Sequence, residues 1–390
     1  MKIMKKLALI LSALTVLFSC AKEQKMELQQ FAVPGSEEEQ AAKADYYAAL
    51  RAYKASDHVL SYVYMGRYAT LEGAANLNVE YKTLEHRFLA LPDSLDIVNL
   101  WMGAPYPTDH SEYCWYKDGE PDYQFDFSPQ CYEDMQYCRR VKGTKFVLHA
   151  DASKNYPEFD LIDYDENGKP MYDDEGNLKK THWKLNKNKK ETHEAYAEFL
   201  YRKCLEYNID GLDFDYEGWL EKQINWTTAY LEKKMGPNAD PDSPGKDLLL
   251  IIDYFGVVPP EESIARCNYI VNQAYSVQSG LSTNGNLANG HPDKWILVEQ
   301  WEQGDPLNYT QGGKRWSDPS TNELGEDLYS LEAYALYCKN GGAKGFGAYY
   351  IDNDYKYSVT TKRGTFPTYG YLRNAIRAAN PISGNNTPEE

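Results

Sequence analysis

The chain has 390 residues, 41 basic against 58 acidic side chains, a formal net charge of −17 and 42% hydrophobic residues. That length suits a large domain with a substantial core, and the even mixing of its 25% charged residues excludes global disorder. The acidic balance excludes a nucleic-acid partner, whose phosphates need a basic face, while 34 Tyr and 8 Trp supply faces that stack on sugars or pack a core.

From the start of the chain, Lys2, Lys5 and Lys6 precede an apolar run from Leu7 to Phe18. At about 1.5 Å per residue this run is too short for a hydrocarbon core of about 30 Å, so residues 1–19 read as a signal peptide. Leu17-Phe18-Ser19-Cys20 resembles a bacterial lipobox, which implies that Cys20 becomes the lipidated first residue of the mature protein. Residues 20–52 are then a lipidated N-terminus and spacer, polar from Ala21 to Gln40 and of helical composition from Ala41 to Ala55. The expectation is an exported monomer in the bacterial cell envelope, at the outer membrane, touching the membrane through its lipid alone.

From 53 to 380, eight short apolar or aromatic runs alternate with helix-like stretches, and 381–390 reads as a disordered tail. The runs are His58 to Tyr64, Leu95 to Trp101, Thr144 to Ala150, Ile209 to Tyr216, Asp247 to Tyr254, Asn268 to Tyr275, Lys294 to Trp301 and Lys344 to Ile351. Near-continuous runs such as Leu248 to Ile252 fit strands covered on both faces, and Thr192 to Tyr207 and Asp327 to Asn340 fit crossover helices. The predicted class is α/β, a TIM (β/α)8 barrel, with a doubly wound open sheet as the alternative. Phe255 to Arg266 is short and Ser276 to Asp293 is rich in Gly, Asn and Ser, so the fifth and sixth crossovers should have reduced helices. Long insertions, Pro105 to Lys142, Asp151 to Lys190 and Glu302 to Glu326, follow the second, third and seventh runs and should lie on the C-terminal face.

Cys204, Cys267 and Cys338 sit in regular segments and read as buried thiols. Cys114, Cys131 and Cys138 share one insertion, where an exported protein could form one disulfide between a pair the sequence does not fix. No Cys/His spacing marks zinc, and Asp163-x-Asp165-x-Asn167-Gly168 reads better as a hairpin turn than as a calcium loop. Neither a metal nor a cofactor is expected.

Asp210-Gly211-Leu212-Asp213-Phe214-Asp215-Tyr216-Glu217 carries the chemistry. On a strand Asp213, Asp215 and Glu217 share one face, about 6–7 Å apart, while Leu212, Phe214 and Tyr216 take the other. Carboxyls crowded inside a barrel cannot all ionise, which would keep Glu217 as an acid beside an ionised neighbour. Asp210-x-x-Asp213-x-Asp215-x-Glu217 resembles the DxxDxDxE signature of glycoside hydrolase family 18, the chitinases and endo-β-N-acetylglucosaminidases, on the fourth strand of a TIM barrel. The resemblance implies cleavage beside N-acetylglucosamine by a substrate-assisted retaining route. Glu217 would protonate the leaving oxygen, Asp215 would orient the attacking acetamido group, Asp213 would support Asp215, and Asp210 would be structural.

Gln273-Ala274-Tyr275 in the sixth run resembles the Gln-x-Tyr of the endoglycosidases more than the Met-x-Tyr-Asp of many chitinases, with Ser276 in place of that Asp. Gln273 would bind substrate and the Tyr275 hydroxyl would donate to the acetamido oxygen. Trp101 and Trp301, closing the second and seventh runs, could reach the mouth and stack on sugars, and Tyr349 or Tyr350 could replace the Trp that chitinases place under the reacting sugar. Trp219 either shapes the surroundings of Glu217 or caps the barrel. The implied function is an endo-β-N-acetylglucosaminidase acting on the chitobiose core of N-glycans, or on another N-acetylglucosamine-containing glycan. A chitinase and a non-catalytic glycan-binding protein are the alternatives.

Overall fold

Eight segments, most of them apolar at both alternating parities, pair in sequence order into a closed, parallel barrel, seen in a computed structural model. The structure describes residues 37–66, 87–101, 103–117, 119–122, 128–150, 158–275, 277–281, 290–301 and 310–381. The strands in chain order are β1 (Leu60–Tyr64), β2 (Ile97–Leu100), β3 (Trp115–Lys117), β4 (Glu120–Asp122), β5 (Lys145–Ala150), β6 (Glu158–Ile162), β7 (Lys180–Lys184), β8 (Gly211–Asp215), β9 (Leu249–Tyr254), β10 (Tyr269–Gln273), β11 (Trp295–Gln300) and β12 (Gly345–Tyr349), followed by a hairpin of β13 (Val359–Thr361) and β14 (Gly364–Phe366). The barrel runs β1, β2, β5, β8, β9, β10, β11, β12 and closes by β12 pairing with β1, the TIM arrangement. Each of the eight predicted runs contains one of these strands.

Alternate residues divide cleanly between two cores. Tyr62, Ile97, Val147, Ile251, Val271 and Val298 fill the barrel, while Val63, Val98, Leu148, Leu212, Ile252 and Leu297 pack outward with the helices. At Gly347 a Cβ would stand 1.4 Å from the Tyr62 carbonyl oxygen, so only glycine lets β12 close against β1 there.

Helices Lys190–Tyr207, Glu221–Leu231 and Ser330–Lys339 cover β8, β9 and β12 as crossovers, and Gly370–Ala379 follows the last strand. The fifth crossover keeps only Glu261–Arg266, and the sixth holds no α-helix among the described residues. All of the barrel lies in one compact unit, Leu50–Glu390. The other unit, 1–49, is described from Glu37 onward as part of the helix Glu37–Lys54. The predicted signal peptide, Cys20, Ser276 and the tail from 382 lie outside the described residues, among which no helix is long and apolar enough to cross a membrane.

The insertions build a separate antiparallel sheet in the order β4, β3, β6, β7. Trp115 and Phe159 of this sheet each stand 4.8 Å from Phe199, and Tyr106 stacks on Tyr207 at 4.5 Å. These aromatics therefore cover the crossover helix Lys190–Tyr207. Asp165 accepts the N–H groups of Asn167 and Lys169, and Asp173 those of Glu175 and Asn177, which makes two tandem turns of the segment read against calcium.

The expected disulfide is absent. Cys114, Cys131 and Cys138 are buried outside any disulfide, as are Cys204, Cys267 and Cys338. Cys131 lies on helix Pro129–Tyr137, which runs on through a π-helical turn, Cys138–Lys142. Seven residues along a helix is about 10 Å between Cα atoms, beyond the reach of a disulfide. The Cys138 thiol instead donates to the Phe88 carbonyl at 3.4 Å.

Candidate active site

The parity read from the sequence holds in β8: Leu212 and Phe214 join the outer core, and Asp213 is fully buried inside the barrel. Asp213 sits on a floor of donors. Tyr62 and Tyr64 project from β1 and Asn99 from β2. The Asp213 carboxyl accepts Tyr62 Oη, Asn99 Nδ2 at 2.7 Å and Tyr64 Oη at 3.3 Å. Burial drives its pKa above the usual carboxylate range, and these hydrogen bonds oppose the rise.

A second acid occupies the same floor. Asp253, 1% exposed, lies next to the end of β9 and pairs in register with Asp215. It accepts Tyr64 Oη at 2.6 Å and Gln273 Nε2 at 3.3 Å. Burial, followed by the charges of Asp213 and Asp215, pushes its pKa well above the ordinary value. Burial and the same two carboxyls, Asp213 and Asp253, also raise Tyr62 and Tyr64, so both phenols stay protonated and donate.

Asp215 lies one step nearer the mouth, with 17% of its side chain exposed and His149 Nε2 3.9 Å away across β5. Glu217 follows just past the strand end, half-buried, after the Tyr216 N–H has bonded the Asp253 carbonyl at 2.8 Å. From β10, Gln273 is buried and Tyr275 half-buried. Burial and the charges of Asp253, Glu217 and Asp215 hold the Tyr275 hydroxyl protonated, so the ladder and the Gln-x-Tyr pair converge on one interior.

Aromatic rings enclose this space. Tyr275 stacks with Tyr349 at 6.2 Å, and Trp101 stands 5.5 Å from Tyr349, 5.7 Å from Tyr350 and 6.4 Å from His149. Tyr350 lies across Gly66, where a Cβ would come within 2.3 Å of its ring. Trp301 does not join them. It is fully buried in the outer core, 6.3 Å from Tyr371, because it shares the outward parity of Leu297. Trp219 likewise packs outward, against Phe214 and His193.

Asp210 is outside the pocket. It receives the Arg139 guanidinium through two bonds of 2.8 and 2.9 Å and the Phe146 N–H at 2.8 Å, tying β5 to β8 at the barrel's N-terminal end. His149, Asp213 and Asp253 offer ligand atoms within 4.8 Å of one another. The hydroxyl and amide donors of Tyr62, Tyr64, Asn99 and Gln273 already aim hydrogens at these carboxyls, a surrounding that suits carboxyl groups and not a cation. Sequence reasoning missed Asp253, Tyr62, Tyr64, Asn99 and His149. The available signal was a polar residue at inward parity near the C-terminal end of each run.

The family model for the TIM-barrel domain of the endo-β-N-acetylglucosaminidase EndoS matches residues 171–348. No curated protein sequence matches significantly. Among solved structures, BT1044, in selenomethionine form with a Glu-to-Gln substitution, is similar with a TM-score of 0.55 at 19% identity, covering 90% of this chain and 98% of that one. An endo-β-N-acetylglucosaminidase from Cordyceps militaris, bound to fucosyl-N-acetylglucosamine-Asn, gives a TM-score of 0.51 at 17% identity, covering 86% and 95%.

Proposed function

We propose that the chain, whose barrel is similar to the TIM-barrel domain of the endo-β-N-acetylglucosaminidase EndoS, is a glycoside hydrolase of family 18 that hydrolyses the β-1,4 bond of the N-glycan chitobiose core. The observation that carries this reading is the convergence of Asp213, Asp215 and Glu217 from β8 and its end with Gln273 and Tyr275 from β10. It has further support in the fungal endoglycosidase, whose complex was obtained with an Asp and a Glu two residues apart both replaced by amides, the spacing of Asp215 and Glu217.

In the proposed reaction the substrate's acetamido oxygen attacks the anomeric carbon while Glu217 gives its proton to the departing glycosidic oxygen. Asp215 holds the acetamido N–H, and Tyr275 donates to the acetamido oxygen, so the reacting group is aligned before charge develops. Water then opens the oxazolinium ion from the face the leaving group vacated, with Glu217 taking the proton back. Trp101, Tyr349 and Tyr350 offer rings against which the sugars stack. We also propose that the enzyme is exported and anchored through Cys20 at the outer membrane, acting as a monomer.

Digestion of N-glycoproteins with mass readout tests the reading. The expected products are a glycan ending in one N-acetylglucosamine and a protein retaining the other, both lost in Glu217→Gln. A wild-type protein that cuts chitooligosaccharides and no N-glycan would be a chitinase. One that binds glycans without cutting them would be a lectin-like relative. Either result would overturn the proposal.

A further inference from the structure

The DxxDxDxE resemblance assigns no role to Asp253, the acid that β9 places beside the ladder. Around Asp213 and Asp253 every side-chain donor falls on one oxygen of each carboxyl, its Oδ2. Tyr64 bridges the pair, lying 2.6 Å from Asp253 and 3.3 Å from Asp213, yet its single hydroxyl hydrogen serves only one carboxyl at a time. Tyr62 and Asn99 serve Asp213, and Gln273 serves Asp253. Each carboxyl still has a buried Oδ1 with no hydrogen-bond partner. Two buried anions joined by one phenol, each with an orphaned oxygen, are strongly unfavourable, and one added proton relieves both the repulsion and a missing bond.

We propose that Asp253 is a positioning residue: it shares one proton with Asp213 on the barrel floor, which leaves Asp215 to carry the negative charge beside the reacting acetamido group. This rests on the function proposed above. The groups facing Asp253 are Tyr62 and Tyr64 from β1, His149 from β5, Asp213, Asp215 and Glu217 from β8 and its end, and Gln273 and Tyr275 from β10. Among these only His149 can become cationic, so three carboxylates, Asp213, Asp253 and Asp215, could not be balanced from within the site. A proton on the pair reduces the count to one shared charge below and one on Asp215 above. Burial of Asp253 and its neighbours' charges act in that direction.

The test compares wild type with Asp253→Asn and Asp253→Ala. Asn mimics the neutral acid in shape and hydrogen bonding, whereas Ala strips Tyr64 and Gln273 of their acceptor. With a fluorescent N-glycopeptide as substrate, Asn should keep kcat within about tenfold, and Ala should lose on the order of 100-fold in kcat with little change in KM. Infrared difference spectra of wild type minus Asp253→Asn at pH 7 should contain a carboxylic-acid carbonyl band. Asp354, a buried acid elsewhere whose pKa burial raises to about 7, cancels in that difference. Should the Ala variant fail to fold, the Asn variant and the spectrum still decide. An active wild type with no such band overturns the shared proton and leaves the glycosidase reading standing, and a folded Asn variant as inactive as Ala overturns the positioning role. A wild type with the band but no hydrolysis of any glycan overturns the functional reading, and the positioning role with it.

Discussion

Replacing Tyr275 by Phe removes a single oxygen from the proposed site and leaves the ring's packing intact. The ring lies between Tyr349 at 6.2 Å and Phe255 at 5.8 Å, so Phe should occupy the same place and the melting temperature should stay within a degree or two of wild type. The hydroxyl stays protonated because burial and the charges of Asp253, Glu217 and Asp215 oppose its ionisation. It can therefore donate to an oxygen that becomes more negative as the acetamido group attacks. Loss of one such preorganised donor costs about 3–4 kcal/mol of transition-state stabilisation, or roughly 100- to 1,000-fold in kcat, with KM nearly unchanged. Steady-state kinetics on a labelled N-glycopeptide measure this directly. In a Glu217→Gln background the further loss should be smaller than in wild type, because both groups serve one transition state. A fall below tenfold, or one confined to KM, would refute the assignment of Tyr275 to the chemical step.

Asp354, fully buried, accepts the N–H of Leu372 at 2.9 Å at the start of helix Gly370–Ala379, and burial raises its pKa to about 7. A folded-state pKa above the unfolded one gives stability that is present below about pH 4 and lost as pH rises through 7, here about 4 kcal/mol for this group alone. Asp354→Asn keeps the acceptor without the charge, so urea midpoints at pH 5 and pH 8 should lie closer together in the variant than in wild type; an unchanged gap would count against the burial argument. Trp101→Ala should weaken glycan binding, read as a raised KM, with a small change in melting temperature. Trp301→Ala should instead destabilise the fold by about 3–5 kcal/mol, measured by chemical denaturation, with KM unchanged in the protein that remains folded.

Much of the fold was legible because strands covered on both faces are mostly apolar at both parities, as Leu249 to Ile252 and Ile296 to Val298 are. The ladder was legible for the same reason, since Leu212 and Phe214 fix the outward face and leave Asp213 and Asp215 inside. Trp301 was misplaced by attending to its position at a run's end and not to its parity. In β11 Ile296 and Val298 face in, so Leu297, Glu299 and Trp301 face out, whereas Trp101 follows the inward Ile97 and Asn99. Asp253 was hidden in an apolar run with no motif around it, and its meaning appears only when register sets it beside Asp215. Cys131 and Cys138 form no disulfide because a stretch read as loop contains the helix from Pro129, whose rigid rise keeps them apart.

The depth of each acid explains how one strand can supply several different carboxyl chemistries. Asp213 and Asp253, at the floor, have surrendered nearly all contact with water, and desolvation is the largest influence on both. Asp215 retains some exposure and the neighbouring imidazole of His149, and Glu217 stands where the strand gives way to a bend. Desolvation is weaker at Asp215 than at the floor pair, so charge costs less there. Protons are retained at the bottom, where no substrate reaches, and charge is tolerated at the level where an acetamido group must be held. A substitution at the floor would therefore act on the chemical step through Asp215, while a substitution among the rim aromatics would act on glycan affinity.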